Sequence, residues 1–188
     1  MRAKQTEIAV LGALSIEPMT GYALREQIRE VLGHFWSESF GQIYPTLSDL
    51  ERRGDVVRRG SGGSGTFAVT RSGRARLRQL LRQPIQVVPP RNGLLLRLFF
   101  GRQLGPDACR ELVLEARAEA ERRLIRYGGI RREIEADQEH VEDRTYWLLT
   151  VSAGEHTARA AIAWADQALA ALDGIGASRG ASRKGDDR

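Results

Sequence analysis

Ser39, Gln42, Tyr44 and Thr46 crowd the start of a segment whose aliphatic residues, Ile43, Leu47 and Leu50, recur at three- and four-residue spacing. On a helix that spacing gathers the aliphatics on one buried stripe and leaves the hydrogen-bonding groups at the exposed N-terminal end. A glutamine amide carries a donor and an acceptor side by side, the pair that matches N6 and N7 of adenine in the DNA major groove. Thr20 and Tyr22 open the preceding helical pattern, where unpaired backbone N–H groups can hold a phosphate. Arg53, Arg58 and Arg59 follow as planar cations suited to bidentate contacts.

Other reactive residue types are present in patterns that do little chemistry. His34, His140 and His156 are scattered, with no partner at metal-ligand spacing. The single cysteine, Cys109, sits on the apolar side of a helical pattern and reads as an inert core thiol. Glu119 with Glu121, and Glu133 with Glu135, read as solvated helix faces. The glycine-rich run Gly60–Gly65 lies inside a hairpin rather than between a strand and a helix, so it is no phosphate loop. The sequence offers no catalytic constellation, no metal site and no cofactor motif, and an enzyme is not expected.

The elements that must position the polar set come next. Ile8, Leu11 and Leu14 predict a first helix over Thr6–Ser15, closed before Pro18. Thr20 is a good N-cap for a second helix carrying Leu24, Ile28 and Val31, with Gly33 at its end. The third runs from about Ser39 to Arg53, with Pro45 in its first turn and Gly54 ending it. Val56 and Val57 then mark a short strand, Gly60–Gly65 a hairpin tip, Thr66–Val69 the return strand, and Thr70 the start of a fourth helix. Three helices, a hairpin and a helix within about eighty residues describe a helix-turn-helix with a two-stranded wing. Pro84–Pro90 reads as a linker, and Gly93–Gly101 as a short, very apolar helix. Two long helices follow, one starting at Pro106 and bending at Gly128-Gly129, the other over Val141–Leu172. The expected fold is therefore mainly α: residues 1–83 a winged helix-turn-helix, 84–105 a linker and short helix, 106–173 a dimerisation domain of long helices, and 174–188 a disordered tail.

The net charge of +5 is not spread evenly. Residues 1–82 hold 13 cations and 8 acids, residues 83–173 hold 12 and 14, and the last fifteen hold 4 and 2. The excess positive charge thus belongs to the part that carries the polar helix start, where a phosphate-binding surface would lie. No run of about 20 apolar residues predicts a membrane span, and the N-terminus has no signal pattern, which points to the cytoplasm.

Three segments resemble the PadR family of bacterial transcriptional regulators. They are Gly41-Gln42-Ile43-Tyr44-Pro45-Thr46-Leu47-Ser48-Asp49-Leu50-Glu51-Arg52-Arg53-Gly54, Thr20-Gly21-Tyr22-Ala23-Leu24, and Thr70-Arg71-Ser72-Gly73. The C-terminal half, with Trp164 in its last helix, is similar to the family's longer members. The resemblance covers roughly residues 4–173 and implies a homodimeric repressor that binds a near-palindromic operator in double-stranded DNA and releases it when an effector binds. One feature departs from the family. The return strand Gly65–Val69 has no cation, so phosphate contacts in the wing fall to Arg58 and Arg59. That departure is the main support for the alternative, a winged-helix protein–protein module without DNA affinity.

In the last helix, Tyr146, Leu149, Ala153, Ala160 and Trp164 form a single stripe beside several small residues. Two long amphipathic helices alone bury their faces poorly, so this stripe is the expected self-association surface. A small-molecule effector is a further expected partner, with Trp147, His156 and Trp164 as candidate contacts.

Overall fold

The computed structural model describes residues 2–33, 35–36, 40–60, 65–85 and 91–184, which divide into two compact units, residues 1–87 and 88–188. In the first unit, α1 (Arg2–Ile16) leads to a two-residue strand β1 (Met19–Thr20) and then α2 (Gly21–Gln27), which widens into a π turn over Ile28–Leu32. A 3-10 turn at Phe40–Gln42 runs into α3 (Ile43–Arg52). Strands β2 (Val56–Arg59) and β3 (Thr66–Val69) form the wing, and α4 (Arg71–Leu81) closes the unit. Leu11, Leu14, Leu24, Ile43 and Leu50 are almost wholly excluded from solvent, with Val56, Phe67 and Leu80 packed around them.

The sheet has three strands rather than the two the hairpin pattern predicts. Met19 pairs with Phe67 and Thr20 with Thr66, so β3 lies between β1 and β2. This tie fixes the wing to the entry of α2. The third helix also begins four residues later than expected, at Ile43, and Pro45 falls in its first turn, where a missing N–H costs nothing. At its other end Asp55 N–H donates to Leu50 O at 2.9 Å and Gly54 N–H to Glu51 O at 3.0 Å, a Schellman closure.

The Thr70–Gly73 segment works as a clamp on that closure. The Thr70 hydroxyl accepts from Gly73 N–H at 3.1 Å and donates to Gly54 O at 2.8 Å, and Ser72 Oγ donates to Gly54 O at 2.9 Å. A Cβ at position 73 would stand 2.0 Å from Asp55 O. The motif therefore ties α4 to the end of α3.

In the second unit, α5 (Gly93–Phe99) is capped by the Asn92 side chain, which accepts from Leu95 N–H at 3.1 Å. A turn at Gly101–Gln103 leads to α6 (Pro106–Ala136) and α7 (Arg144–Lys184), packed as a hairpin. Cys109, Val113, Ala120 and Tyr127 of α6 and Val151, Ala158 and Ala165 of α7 are buried, mostly at seven-residue intervals, as for a coiled-coil seam. α6 runs unbroken through Gly128-Gly129, where the sequence suggests a bend. The roughly 46 Å of helix gains enough from its neighbours to absorb two poor helix formers. α7 continues to Lys184, past the expected boundary near residue 173, because extending an existing helix costs far less than starting one.

Candidate nucleic-acid interface

Gln42 is exposed in the turn that enters α3, and its side chain makes no capping bond. Tyr44 follows, 46 % exposed, with Ser48 exposed one turn later on the same face. Thr46 is half-buried. Behind this face Ile43, Leu47 and Leu50 anchor α3 in the core, so the polar end is held rigidly.

Gly21 links this face to α2. A Cβ there would lie 3.0 Å from Tyr44 Cε1, so glycine gives the ring room to rest close against the first turn of α2. Tyr22, 67 % exposed, stands beside it. The sequence pattern separates these two segments by twenty residues, and the fold makes them one surface. Thr20 is the N-cap that the sequence predicts. Its hydroxyl accepts from Ala23 N–H at 3.1 Å and so caps α2, leaving the remaining N–H groups of that turn for an anion.

Two other candidates move. Arg53 is drawn into an ion network, 3.1 Å from Glu7, 3.3 Å from Asp49 and 3.6 Å from Asp55. Glu7 in turn binds Arg76 of α4 at 3.2 Å. Arg53 is thereby a cross-brace between α1, α3 and the turn that follows α3, because three carboxylates converge on it. Ser39 lies outside the described residues, as do the wing-tip residues 61–64. The hydrogen bond from Arg52, with Arg53 nearby, holds the Asp49 carboxyl below its ordinary value.

On the wing, Arg58 opposes Phe67 and Arg59 opposes Thr66. The Arg58 guanidinium sits 5.4 Å from the Phe67 ring centroid, a cation–π contact that fixes its direction. Adjacent strand residues point to opposite faces, so Arg58 and Arg59 flank the wing rather than reinforce each other. Sequence reasoning missed Ser48 and Gly21. The four-residue step from Tyr44 could have found the first, and nothing short of the packed structure could have found the second.

The second unit sorts its apolar residues onto two sides. Tyr146 and Leu149 are 69 % and 64 % exposed, Ala153 and Ala160 are exposed, and Trp164 is 36 % exposed. The stripe read from the sequence is thus the outward face of α7. Trp147, His156 and Trp164 do not converge. Trp147 stacks near His140 at 5.4 Å, His156 Nδ1 is 2.8 Å from Ser152 O on an exposed turn, and Trp164 faces outward. A groove of about 300 Å³ instead lies between α5 and α6, lined by Leu94, Arg97, Leu112, Glu115, Ala116 and Arg122 among others.

Residues 10–79 match the Transcriptional regulator PadR-like family, and residues 90–173 match the Virulence activator alpha C-term family. The chain is 27 % identical over 180 residues to the "Probable transcriptional regulator Rv1176c" of Mycobacterium tuberculosis, covering 87 % of this chain and 95 % of that one. It is 26 % identical over 177 residues to the "Negative transcriptional regulator PadR" of Bacillus subtilis, covering 88 % and 96 %. The fold is similar to that of Bacillus subtilis PadR solved in complex with operator DNA, with a TM-score of 0.74 at 22 % identity over 88 % of this chain and 98 % of that one. It is also similar to the same protein solved with p-coumaric acid, with a TM-score of 0.75 at 22 % identity over 89 % and 98 %.

Proposed function

The chain belongs to the PadR-like family of transcriptional regulators, and from that premise we propose that it is a homodimeric, effector-responsive repressor whose two copies of α3 read a near-palindromic operator. It is a DNA-binding regulator and not an enzyme. The observation that carries the reading is the rigid, exposed surface of Gln42, Tyr44, Ser48 and Tyr22, set by the contact of Gly21 with Tyr44. The N-terminal end of a recognition helix is the part that reaches base edges in the major groove. The N-terminus of α2 receives a phosphate, and Arg58 and Arg59 add backbone contacts from the wing. A repressor of this kind acts by occupying its site.

Self-association through the outward face of α7, with the exposed leucines and phenylalanines of α5, supplies the second half-site. No helix among the described residues is long and apolar enough to cross a membrane, and the reading places the protein with DNA in the cytoplasm. The effector is a small molecule bound in the C-terminal unit, since a recognition helix must stay open to reach the groove whereas a ligand site is concave and mostly apolar. The α5–α6 groove is its site in preference to the dispersed Trp147, His156 and Trp164. A ligand there needs only to favour the non-binding spacing of the two recognition helices, and a coupling of about 1–3 kcal/mol gives roughly a 5–150-fold change in affinity.

The test is gel mobility with a selected operator. Tyr44→Ala and Gln42→Ala are each expected to cost about 1–3 kcal/mol of specific binding. Arg58→Ala is expected to weaken all sequences alike and to reduce the salt slope by about one unit. Binding that is unchanged in all three variants, or that shows no salt dependence in the wild type, defeats the reading and points to a protein–protein module.

A further inference from the structure

Between Asp55 and Asp107 the chain has no acidic residue, yet it carries ten arginines. Four of them, Arg71, Arg74, Arg78 and Arg82, fall at three- and four-residue steps along α4 and its C-cap, all exposed. The opposite side of α4 carries Leu77 and the buried Gly73 and Leu80, which pack into the core, with Arg76 paired to Glu7 of α1. The stripe therefore lies on the solvent side of α4, opposite the residues that enter the core, and at Arg74 it reaches the end of α1. Arg74 donates to Ser15 O at 3.3 Å, and Arg71, Arg78 and Arg82 have no ion-pair partner among the described residues.

The helix dipole favours Arg78 and Arg82 at the C-terminal end of α4 but not the arginines at its start. Cations in the first turn oppose the helix dipole, and like charges four residues apart destabilise a helix. Elsewhere many arginines have acids close by. Arg117 binds Asp166 and Glu121 at 2.6 Å each, Arg110 binds Asp173 at 3.0 Å, and Arg131 binds Glu155 at 2.9 Å.

A complementary stripe exists on α6. Asp107, Glu111 and Glu115 are exposed at four-residue steps, on the side of α6 away from the buried Val113, Ala120 and Tyr127, and none has an ion-pair partner among the described residues. Arg74, Arg78 and Arg82 have the same spacing. Each set spans about 12 Å of helix, so three ion pairs can form in one register. We propose that α4 of one copy docks through Arg74, Arg78 and Arg82 on Asp107, Glu111 and Glu115 in α6 of a second copy. The proposal rests on the homodimer reading above. In a symmetric dimer the contact forms twice and holds each DNA-reading unit against its partner. The duplex is the weaker candidate for the stripe, because it does not account for the acids of matching spacing on α6.

The experiment is a charge swap in the full chain, read by sedimentation during dilution at low salt. Arg78→Glu with Arg82→Glu is expected to weaken dimerisation by on the order of tenfold or more, an effect that fades at high salt. Adding Glu111→Arg and Glu115→Arg is expected to restore it. As a second readout, Arg78→Cys and Glu111→Cys subunits, each in a Cys109→Ala background, are mixed and oxidised, and a disulfide-linked heterodimer is expected. Unchanged dimerisation on reversal, weakening that the swap does not restore, or absence of the cross-link overturns the proposal while leaving a dimer intact. Reversal that lowers operator affinity without touching dimerisation assigns the stripe to DNA and overturns it too. A wild-type monomer overturns both this contact and the homodimer reading.

Discussion

The two units solve the burial problem differently. In the N-terminal unit, Leu11, Leu14, Leu24, Ile43 and Leu50 meet in one closed core. Its most exposed aromatics include Tyr22 and Tyr44, which belong to the reading surface. In the C-terminal unit the buried cluster centres on Tyr127, Val151 and Ala158, while Leu96, Phe99, Phe100, Ile125, Tyr146 and Leu149 are each more than half exposed. Large exposed apolar side chains in such number favour an interaction site. The contrast supports the proposal that the first unit is a self-contained reading head and the second is half of an interface.

Separating the units tests this most severely. A chain ending at Gln83 should keep a cooperative thermal transition but sediment as a monomer. Its operator affinity should fall by roughly 10²–10⁴-fold, because the second half-site no longer benefits from a tethered partner. A dimer of normal affinity from that truncation would break the comparison. Within the full chain, Leu50→Ala should cost about 2–5 kcal/mol of unfolding free energy, the usual result of emptying a closed core. Leu149→Ala should change single-chain stability by less than about 0.5 kcal/mol and act instead on dimer dissociation. Equal effects of the two on chemical denaturation at high dilution would mean that the outward face of α7 is packed within the single chain.

Which of these features the sequence revealed depends on how local their causes are. Helix periodicity, the Thr20 and Thr70 caps, Pro106 at the start of α6 and the Gly54 stop are decided within a few residues, and they could be read directly. Strand β1 could not, because two residues show no alternation and exist as a strand only through Phe67 and Thr66. Arg53 looked like any cation after a recognition helix until Glu7, nearly fifty residues earlier in the chain, came to lie 3.1 Å away. On α7 two apolar stripes compete, and periodicity cannot say that Val151, Ala158 and Ala165 face α6 while Tyr146, Leu149 and Trp164 face out. That choice is made by partners on α6. Gly154 is one expression of it, since a Cβ there would lie 2.3 Å from Tyr127 Cζ.

The hairpin also buries a charge, where the N-terminal core buries none among the described residues. Glu155 is 7 % exposed and is gripped by Arg131 through bonds of 2.9 and 3.0 Å, with Arg159 at 3.4 Å. The hydrogen bonds from Arg131 hold the Glu155 carboxyl below its ordinary value of 4.5. A depressed carboxyl contributes stability above its unfolded pKa and loses it as pH falls through the folded one. Glu155→Gln should therefore cost about 1–3 kcal/mol at pH 7, less than a fully buried pair because Arg131 stays partly solvated. The wild-type advantage should shrink below about pH 4.5. Parallel melts of both proteins from pH 7 to pH 3 measure it, and a gap that stays constant with pH would show that the pair contributes packing rather than charge.

The smallest effect is expected at the turn between α6 and α7. Asp137 accepts from Glu139 N–H at 2.7 Å and His140 N–H at 3.1 Å, and its other oxygen lies 2.9 Å from His140 Nδ1. The Asp137 hydrogen bond raises the His140 pKa above its ordinary 6.5, and nearby Glu139 and Asp143 act in the same direction. A raised histidine contributes stability that is fully present below the unfolded pKa and disappears as pH rises through the folded one. Both side chains are about 30 % exposed, so solvent screens the pair and global stability should hardly move. The local signal should be clear, because the imidazole lies 5.4 Å from the Trp147 ring. His140 ring protons and Trp147 emission should titrate together above pH 6.5, and Asp137→Asn should bring the midpoint down towards that value. Operator affinity should not follow this titration, since the proposed reading surface lies in the other unit. If affinity did track His140, the reading head would not be the self-contained body that its closed core implies.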